Sequence, residues 1–263
     1  MIVIKKLIIL IDRIFLRSSL SKLRSFFSKL NYKHVQNKFE GNLDYRIIIR
    51  YNKDTTNPFA ELCDFYGSDK GSHTSKHVYP WPSHTYSDFY SSIYSNFRPH
   101  VKKVYENGIG TNNLNFKSNM SITGVPGASL RVWRDYFHNA LVIGTDIDVN
   151  TLFQEERIKT FFIDQTNDLV IERFWAECGE DNFDLMVDDG LHTASAGKTL
   201  FINSIDKLSN SGLYVIEDVN LNDLVIYEDF FREKNYIVNY INLLRPGLVN
   251  IDNNLVTIRK KAL

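Results

Sequence analysis

From residue 101 onward the chain keeps one rhythm, and that rhythm limits what it can fold into. "KKVYENGIG" reads as a strand running into a glycine turn. "SLRVWRDYF" reads as a helix, with Ser129 as its expected N-cap. "ALVIGTDID" and "KTFFIDQT" are strands, "LVIERFWAEC" a helix, and "FDLMVDDG" a strand. "SAGKTLFINSIDKL" is a helix, "GLYVIEDV" a strand, and "LNDLVIYEDFFREK" a helix. Such alternation predicts an α/β fold, a doubly wound and mostly parallel sheet. The last segment, "YIVNYINLLRPGLVNIDNNLVTIRK", reads instead as two strands joined through a Pro-Gly turn, which adds an antiparallel hairpin at one edge. With 263 residues, 43% hydrophobic and 24% charged, the chain suits one such domain with an appendage.

In an open α/β sheet, ligands collect at the carboxyl ends of the strands. Here those ends are acidic. The first closes in Glu106 and then a turn containing Gly108 and Gly110, where a backbone can approach a ligand closely. A dinucleotide fingerprint would need a third glycine where Asn113 stands, so pyrophosphate binding is disfavoured. The second strand ends in Asp146, able to accept hydrogen bonds from ribose hydroxyls. Asp164 and Gln165 follow the third and are placed to meet an adenine edge. The fourth ends in Asp188-Asp189 and the fifth in Glu217-Asp218. If these two ends are neighbours, four carboxylates converge on a hard-oxygen site suited to Mg²⁺, the positive charge that two adjacent aspartates require. Capping and surface acids are the other reading of the same pairs. His192, three residues past Asp189, can take a proton from a hydroxyl near neutral pH.

The amino-terminal stretch differs in character. Residues 1–40 carry nine Lys/Arg and two Asp/Glu, which leaves 22 basic and 29 acidic residues in the remainder of a chain of zero net charge. Ile4, Leu7, Ile8, Ile11, Ile14 and Phe15 recur at helical spacing, but charges interrupt the run too often for a membrane span. Peripheral association of residues 1–30 with an anionic membrane face and packing on the body or on a second subunit both fit. Residues 31–45 read as a linker, so the expected division is an extension, 1–45, and a catalytic domain, 46–263. Zero net charge gives no case for nucleic acid. Cys63 and Cys178 suggest neither a disulfide framework nor a metal site and fit a reducing cytoplasm. Tyr86, Phe89, Tyr90, Ile93, Tyr94 and Phe97 form one helical face, read as core.

The runs "YGSDKGSH", "ENGIG", "GASLRVWRDYF", "GTDID", "RIKTFFIDQT", "FDLMVDDGLH" and "GLYVIEDV" together resemble the metal-dependent sugar O-methyltransferases of the macrocin and mycinamicin type, over roughly residues 60–220. Five alternating strands plus a hairpin is also the order of class I S-adenosylmethionine methyltransferases. The resemblance implies that Rossmann-like fold, S-adenosylmethionine as donor, Mg²⁺, and methylation of a sugar hydroxyl. By motif match Asp189 and Asp218 correspond to metal ligands, with Glu217 beside them, and His192 to the general base. Asp146 corresponds to the ribose acid, Glu106 to the family's first-strand glutamate, a further metal ligand or a cofactor contact, and Asp188 is a further candidate cofactor contact. Lys70, His77 and Tyr79, in a Gly-Ser-Asp-Lys loop longer than expected, are candidate substrate residues. Asn107 departs from the apolar residue usual in the first glycine motif, and the basic extension lies outside the resemblance. Abundant Asn, Ile and Lys point to a bacterial surface or capsular glycan as acceptor, beside a glycosylated natural product. A cephalosporin-hydroxylase-like metal enzyme on the same scaffold and an inactive membrane-docked binding protein are the competing readings.

Overall fold

The computed structural model describes residues 46–50, 57–71, 79, 81, 83–244 and 252–261. All belong to the unit Arg46–Leu263. The amino-terminal extension, His77 and the Pro-Gly turn, with the expectations attached to them, lie outside the described residues.

Among the described residues nine strands form one sheet. They are β1 (Arg46–Arg50), β2 (Lys103–Asn107), β3 (Leu141–Asp146), β4 (Gln154–Glu155), β5 (Ile158–Phe162), β6 (Phe183–Asp188), β7 (Leu208–Ile216), β8 (Tyr236–Leu244) and β9 (Asn254–Lys260). The order is β1-β8-β9-β7-β6-β2-β3-β5-β4. The pairs from β5 through β7 are parallel, whereas β9 runs antiparallel to both β7 and β8. The expected parallel sheet with a terminal antiparallel hairpin is therefore observed. Strand β1, parallel to β8, and the short β4 are additions that alternation alone did not mark.

Among the described residues six α-helices accompany the strands: α1 (Pro58–Tyr66), α2 (Tyr86–Tyr94), α3 (Ala128–Tyr136), α4 (Asp168–Cys178), α5 (Ala194–Ser204) and α6 (Leu221–Phe231). Strand side chains alternate faces, and both faces are covered. Val104, Leu185, Val187, Leu213 and Val215 pack with Phe59, Tyr90 and Trp133 of α1, α2 and α3. Tyr105, Met186, Tyr214 and Ile216 pack with Phe174, Leu200 and Tyr227 of α4, α5 and α6. Burial on both sides explains why these strands read as continuous apolar runs.

Asparagine caps supply three helix starts. Asn57, Asn167 and Asn220 each accept two backbone N–H groups, satisfying donors the helix leaves unpaired. The expectation for Ser129 fails. Gly127, at φ +72°, is the N-cap of α3, and Ser129 lies inside the first turn, where its hydroxyl donates to Glu106 Oε2 at 2.7 Å. A buried carboxylate is a stronger acceptor for that hydroxyl than a helix terminus is a donor to it.

Candidate active site

The sheet order reverses direction at β2, whose neighbours are β3 on one side and β6 on the other. A crevice outside the carboxyl ends at such a switch point is the usual ligand site of an open α/β sheet. Here it is a cleft of about 620 Å³, within the range of small-molecule and cofactor sites. Gly108, Gly110, Asp146, Asp164, Gln165, Asp189, His192 and Asp218 all border it, as do Lys70 and Tyr79.

One end of the cleft is built on the β2 turn. The Gly110 N–H donates to Asp146 Oδ2 at 3.1 Å, and the Asp148 N–H donates to Oδ1 at 2.9 Å. Burial raises the Asp146 pKa despite these bonds. Gly108 is required for a reason other than a ligand. Its φ is +87°, and a Cβ there would stand 2.1 Å from the Asp189 carbonyl oxygen, so the turn admits the β6 loop.

That loop, Asp189 to His192, is pinned from two sides. The Asp189 N–H donates to the Asn107 carbonyl at 2.9 Å, and the Leu191 N–H donates to Gln165 Oε1 at 2.7 Å. Asn107 Nδ2 donates to Gln165 Oε1 at 2.9 Å and to Asp188 Oδ1 at 3.1 Å, and Gln165 Nε2 donates to Asp188 Oδ1 at 3.2 Å. Gln165 and Asp188 thus share an internal polar network, and Gln165 also borders the cleft. A Cβ on Gly190 would fall 1.9 Å from Gln165 Oε1, which ties the glycine to the same network. Asn107, unusual at its position, is the residue that joins the two. Asp164 accepts from its own loop at Thr166 and remains at the cleft wall.

At the other end Asp189, His192 and Asp218 converge. Their ligand atoms lie within 4.8 Å of one another, the group that among the described residues could hold a metal. His192 Nε2 is 3.2 Å from Asp189 Oδ1, and its Nδ1 is 3.6 Å from Asp218 Oδ2. His192 and Asp218 both have positive φ, +55° and +53°. Strained backbone of that kind persists where surrounding structure enforces it, commonly at functional sites. Burial alone would lower the imidazole pKa, but Asp218 and Asp189 outweigh it and push it up to about 10.

Glu217 does not join this group. Tyr90 donates to its Oε1 at 2.6 Å, and Lys70 Nζ holds its Oε2. Glu106 is also turned inward: its Oε2 accepts from Ser129 and from Trp133 Nε1 at 3.1 Å, and Lys70 Nζ lies 3.2 Å from Oε1. It is fully buried and does not border the cleft. Lys70 borders the cleft but is 3% exposed and paired with Glu106, Asp189 and Glu217. Tyr79 donates its hydroxyl to the Gly67 carbonyl at 2.7 Å. The positive charge beside the paired aspartates is therefore, in part, a lysine.

Several contributors carried no recognisable signal. Tyr86, on the aromatic stripe read as core, is buried yet donates to Asp218 Oδ1 at 2.6 Å. His84 stacks on Tyr86 and places Nε2 3.2 Å from that same oxygen, with Asp69 and Asp252 also beside its ring. A second histidine is thus present, on the side of Asp218 opposite His192 and outside the convergent group.

No family model matches the chain. It is 31% identical over 160 residues to the 8-demethyl-8-α-L-rhamnosyl tetracenomycin-C 2'-O-methyltransferase of Streptomyces olivaceus, across 61% of this chain and 37% of that protein. It is 32% identical over 148 residues to the demethylmacrocin O-methyltransferase of Streptomyces fradiae, across 56% of this chain and 35% of that one. These homologues are sugar O-methyltransferases of the macrocin and mycinamicin type. The chain spans about a third of the length of these curated relatives. Among solved structures, the MycE methyltransferase of the mycinamycin pathway, in complex with Mg and SAH, superposes with a TM-score of 0.55 at 21% identity, over 80% of this chain and 55% of that one. The fold is that of a class I methyltransferase. In this methyltransferase fold the β2 turn, Asp146 and the β6 loop occupy one continuous cleft, and no helix of the described residues is long and apolar enough to cross a membrane.

Proposed function

We propose that this chain carries the S-adenosylmethionine- and Mg²⁺-dependent methyltransferase unit of a sugar O-methyltransferase. The observation that carries the reading is the single cleft that joins the Gly110–Asp146 end to the Asp189–His192–Asp218 group. Relatives with named sugar O-methylation support the substrate class.

The residues fit both groups. Among the described residues, six carboxylates, Asp69, Glu106, Asp189, Glu217, Asp218 and Asp252, meet three side chains able to carry positive charge, Lys70, His84 and His192. Such an excess calls for further positive charge. Mg²⁺ is commonly held by one or two carboxylates with water and substrate oxygens, and Asp189 and Asp218 would hold it here. When bound, the ion supplies Lewis acidity that lowers the pKa of a coordinated hydroxyl. At the other end Asp146 retains acceptor capacity for ribose hydroxyls, and the Gly108–Gly110 turn offers a backbone wall.

Without an ion, Asp189 and Asp218 hold the imidazole protonated; a divalent ion on those carboxylates would take over that compensation and leave His192 neutral, able to accept the acceptor hydroxyl proton as the oxygen attacks the sulfonium methyl carbon. The new C–O bond forms as the C–S bond breaks, and the electron pair stays on sulfur. Asp189 and Asp218 orient the ring from opposite sides. The pinned β6 loop fixes its approach, so much of the rate enhancement comes from proximity.

Labelled S-adenosylmethionine, offered with glycoside acceptors with and without Mg²⁺, tests the reading. Label should appear on a sugar oxygen only with the metal, and full activity in excess EDTA would remove the ion from the reaction. Asp146→Ala is expected to weaken S-adenosylmethionine binding by about 1–3 kcal/mol, since polar partners are left unpaired. Unchanged affinity by calorimetry would take Asp146 out of the cofactor site. A surface-glycan acceptor reached from a membrane-docked extension is the finer form of the proposal, supported by the basic apolar composition of residues 1–40. Deleting those residues should release the protein from anionic vesicles without loss of methyl transfer. Full retention on the vesicles would refute that form.

A further inference from the structure

Lys70 has no part in the methyl transfer just described, yet it sits at the centre of a buried cluster of carboxylates. Its ammonium is 3% exposed and meets three carboxylates: Glu106 Oε1 at 3.2 Å, Asp189 Oδ2 at 2.5 Å, and Glu217 Oε2. Glu106 and Glu217 are themselves fully buried. Three carboxylates this close cannot all stay ionised without a partner. Asp189 is the link outward, because its other oxygen, Oδ1, faces His192 in the convergent group.

We propose that Lys70 is a positioning residue of the metal centre, a resident cation that holds Glu106, Glu217 and Asp189 in place and sets how strongly the adjoining carboxylates attract a divalent ion. The inference rests on the metal part of the function proposed above. Two consequences follow. The inner carboxylates stay assembled with or without a divalent ion, because the lysine is covalently part of the chain. The lysine charge also opposes a divalent ion on the far side of Asp189, so the ion binds less tightly than the carboxylate count alone implies.

The test uses the full chain and Mn²⁺ as probe, with free Mn²⁺ read by electron paramagnetic resonance, beside thermal melts in EDTA and in Mg²⁺. Lys70→Met should bind Mn²⁺ about tenfold more tightly than wild type, as a nearby like charge is removed. Its Tm in EDTA should fall by about 10 °C, and Mg²⁺ should restore more than half of that loss. Should Lys70→Met fail to fold, Glu106→Gln decides. Glu106 lines no part of the cleft, so it ligates no ion there and acts through charge, its own and that of the Lys70 ammonium it balances. Its neutral form leaves the lysine charge less balanced and should weaken Mn²⁺ binding about fivefold. Unchanged or opposite affinities in these variants, with wild type binding Mn²⁺, overturn the role of Lys70 alone. A wild type that binds no Mn²⁺ overturns both this inference and the metal reading beneath it.

Discussion

Replacing His192 by alanine is expected to lower kcat by about 10²–10⁴-fold, the usual worth of a positioned general base. The ring is the one group of the convergent set able to accept a proton and still leave two carboxylates for an ion. It stands 3.2 Å from Asp189 and 3.6 Å from Asp218, so the acceptor hydroxyl and the base share one set of oxygens. S-adenosylmethionine affinity should change little, because His192 and Asp146 serve opposite ends of the cleft. Alanine at φ +55° adds backbone strain. His192→Asn is the better-folded companion, since asparagine tolerates the left-handed region. A kcat within a few-fold of wild type in both variants would leave His192 a structural residue, with hydroxyl activation coming from elsewhere.

Replacing Asp218 by asparagine is expected to cost at least about 10³-fold in Mg²⁺-dependent turnover, since Lewis-acid assistance is worth several kcal/mol. The amide keeps the shape of the side chain and removes its charge. Oδ1 can still accept from Tyr86, so the fold around it should hold. The expected signature is a loss of kcat and of Mn²⁺ binding together, with calorimetric S-adenosylmethionine affinity retained. Asp189→Asn should show the same loss of turnover with an added loss of stability, because Asp189 is also a partner of Lys70. Turnover of Asp218→Asn close to wild type, still sensitive to EDTA, would move the metal away from this carboxylate.

The alternation of strands and helices was legible because the parallel strands are buried on both faces and the helices carry apolar stripes. The strand-end acids were equally legible, and the β6–β7 pairing does bring two of those ends side by side. Which oxygen faces which partner was not. Adjacent residues of a strand point to opposite faces, so Asp188 turns to Asn107 and Gln165 while Asp189 turns to Lys70 and His192. Glu106, Asp189 and Glu217 each lie two residues beyond an apolar side chain of the α1–α3 face, Val104, Val187 and Val215. Their shared side is implicit in that spacing. That a lysine would meet them there is not, since it arrives from a loop 119 residues before Asp189 and 147 before Glu217.

By itself, then, the sequence determined the layers, the order of acidic strand ends and the short loop that carries His192, because each depends on local periodicity and nearest neighbours. The tertiary structure alone decided that Lys70 sits inside the carboxylates, that Tyr86, Tyr90 and His84 orient them, and that Gln165 and Asp188 brace the β6 loop. Charge pairing and hydrogen bonding act over a few ångströms in space, and chain separation carries no record of that distance until the sheet has closed its register.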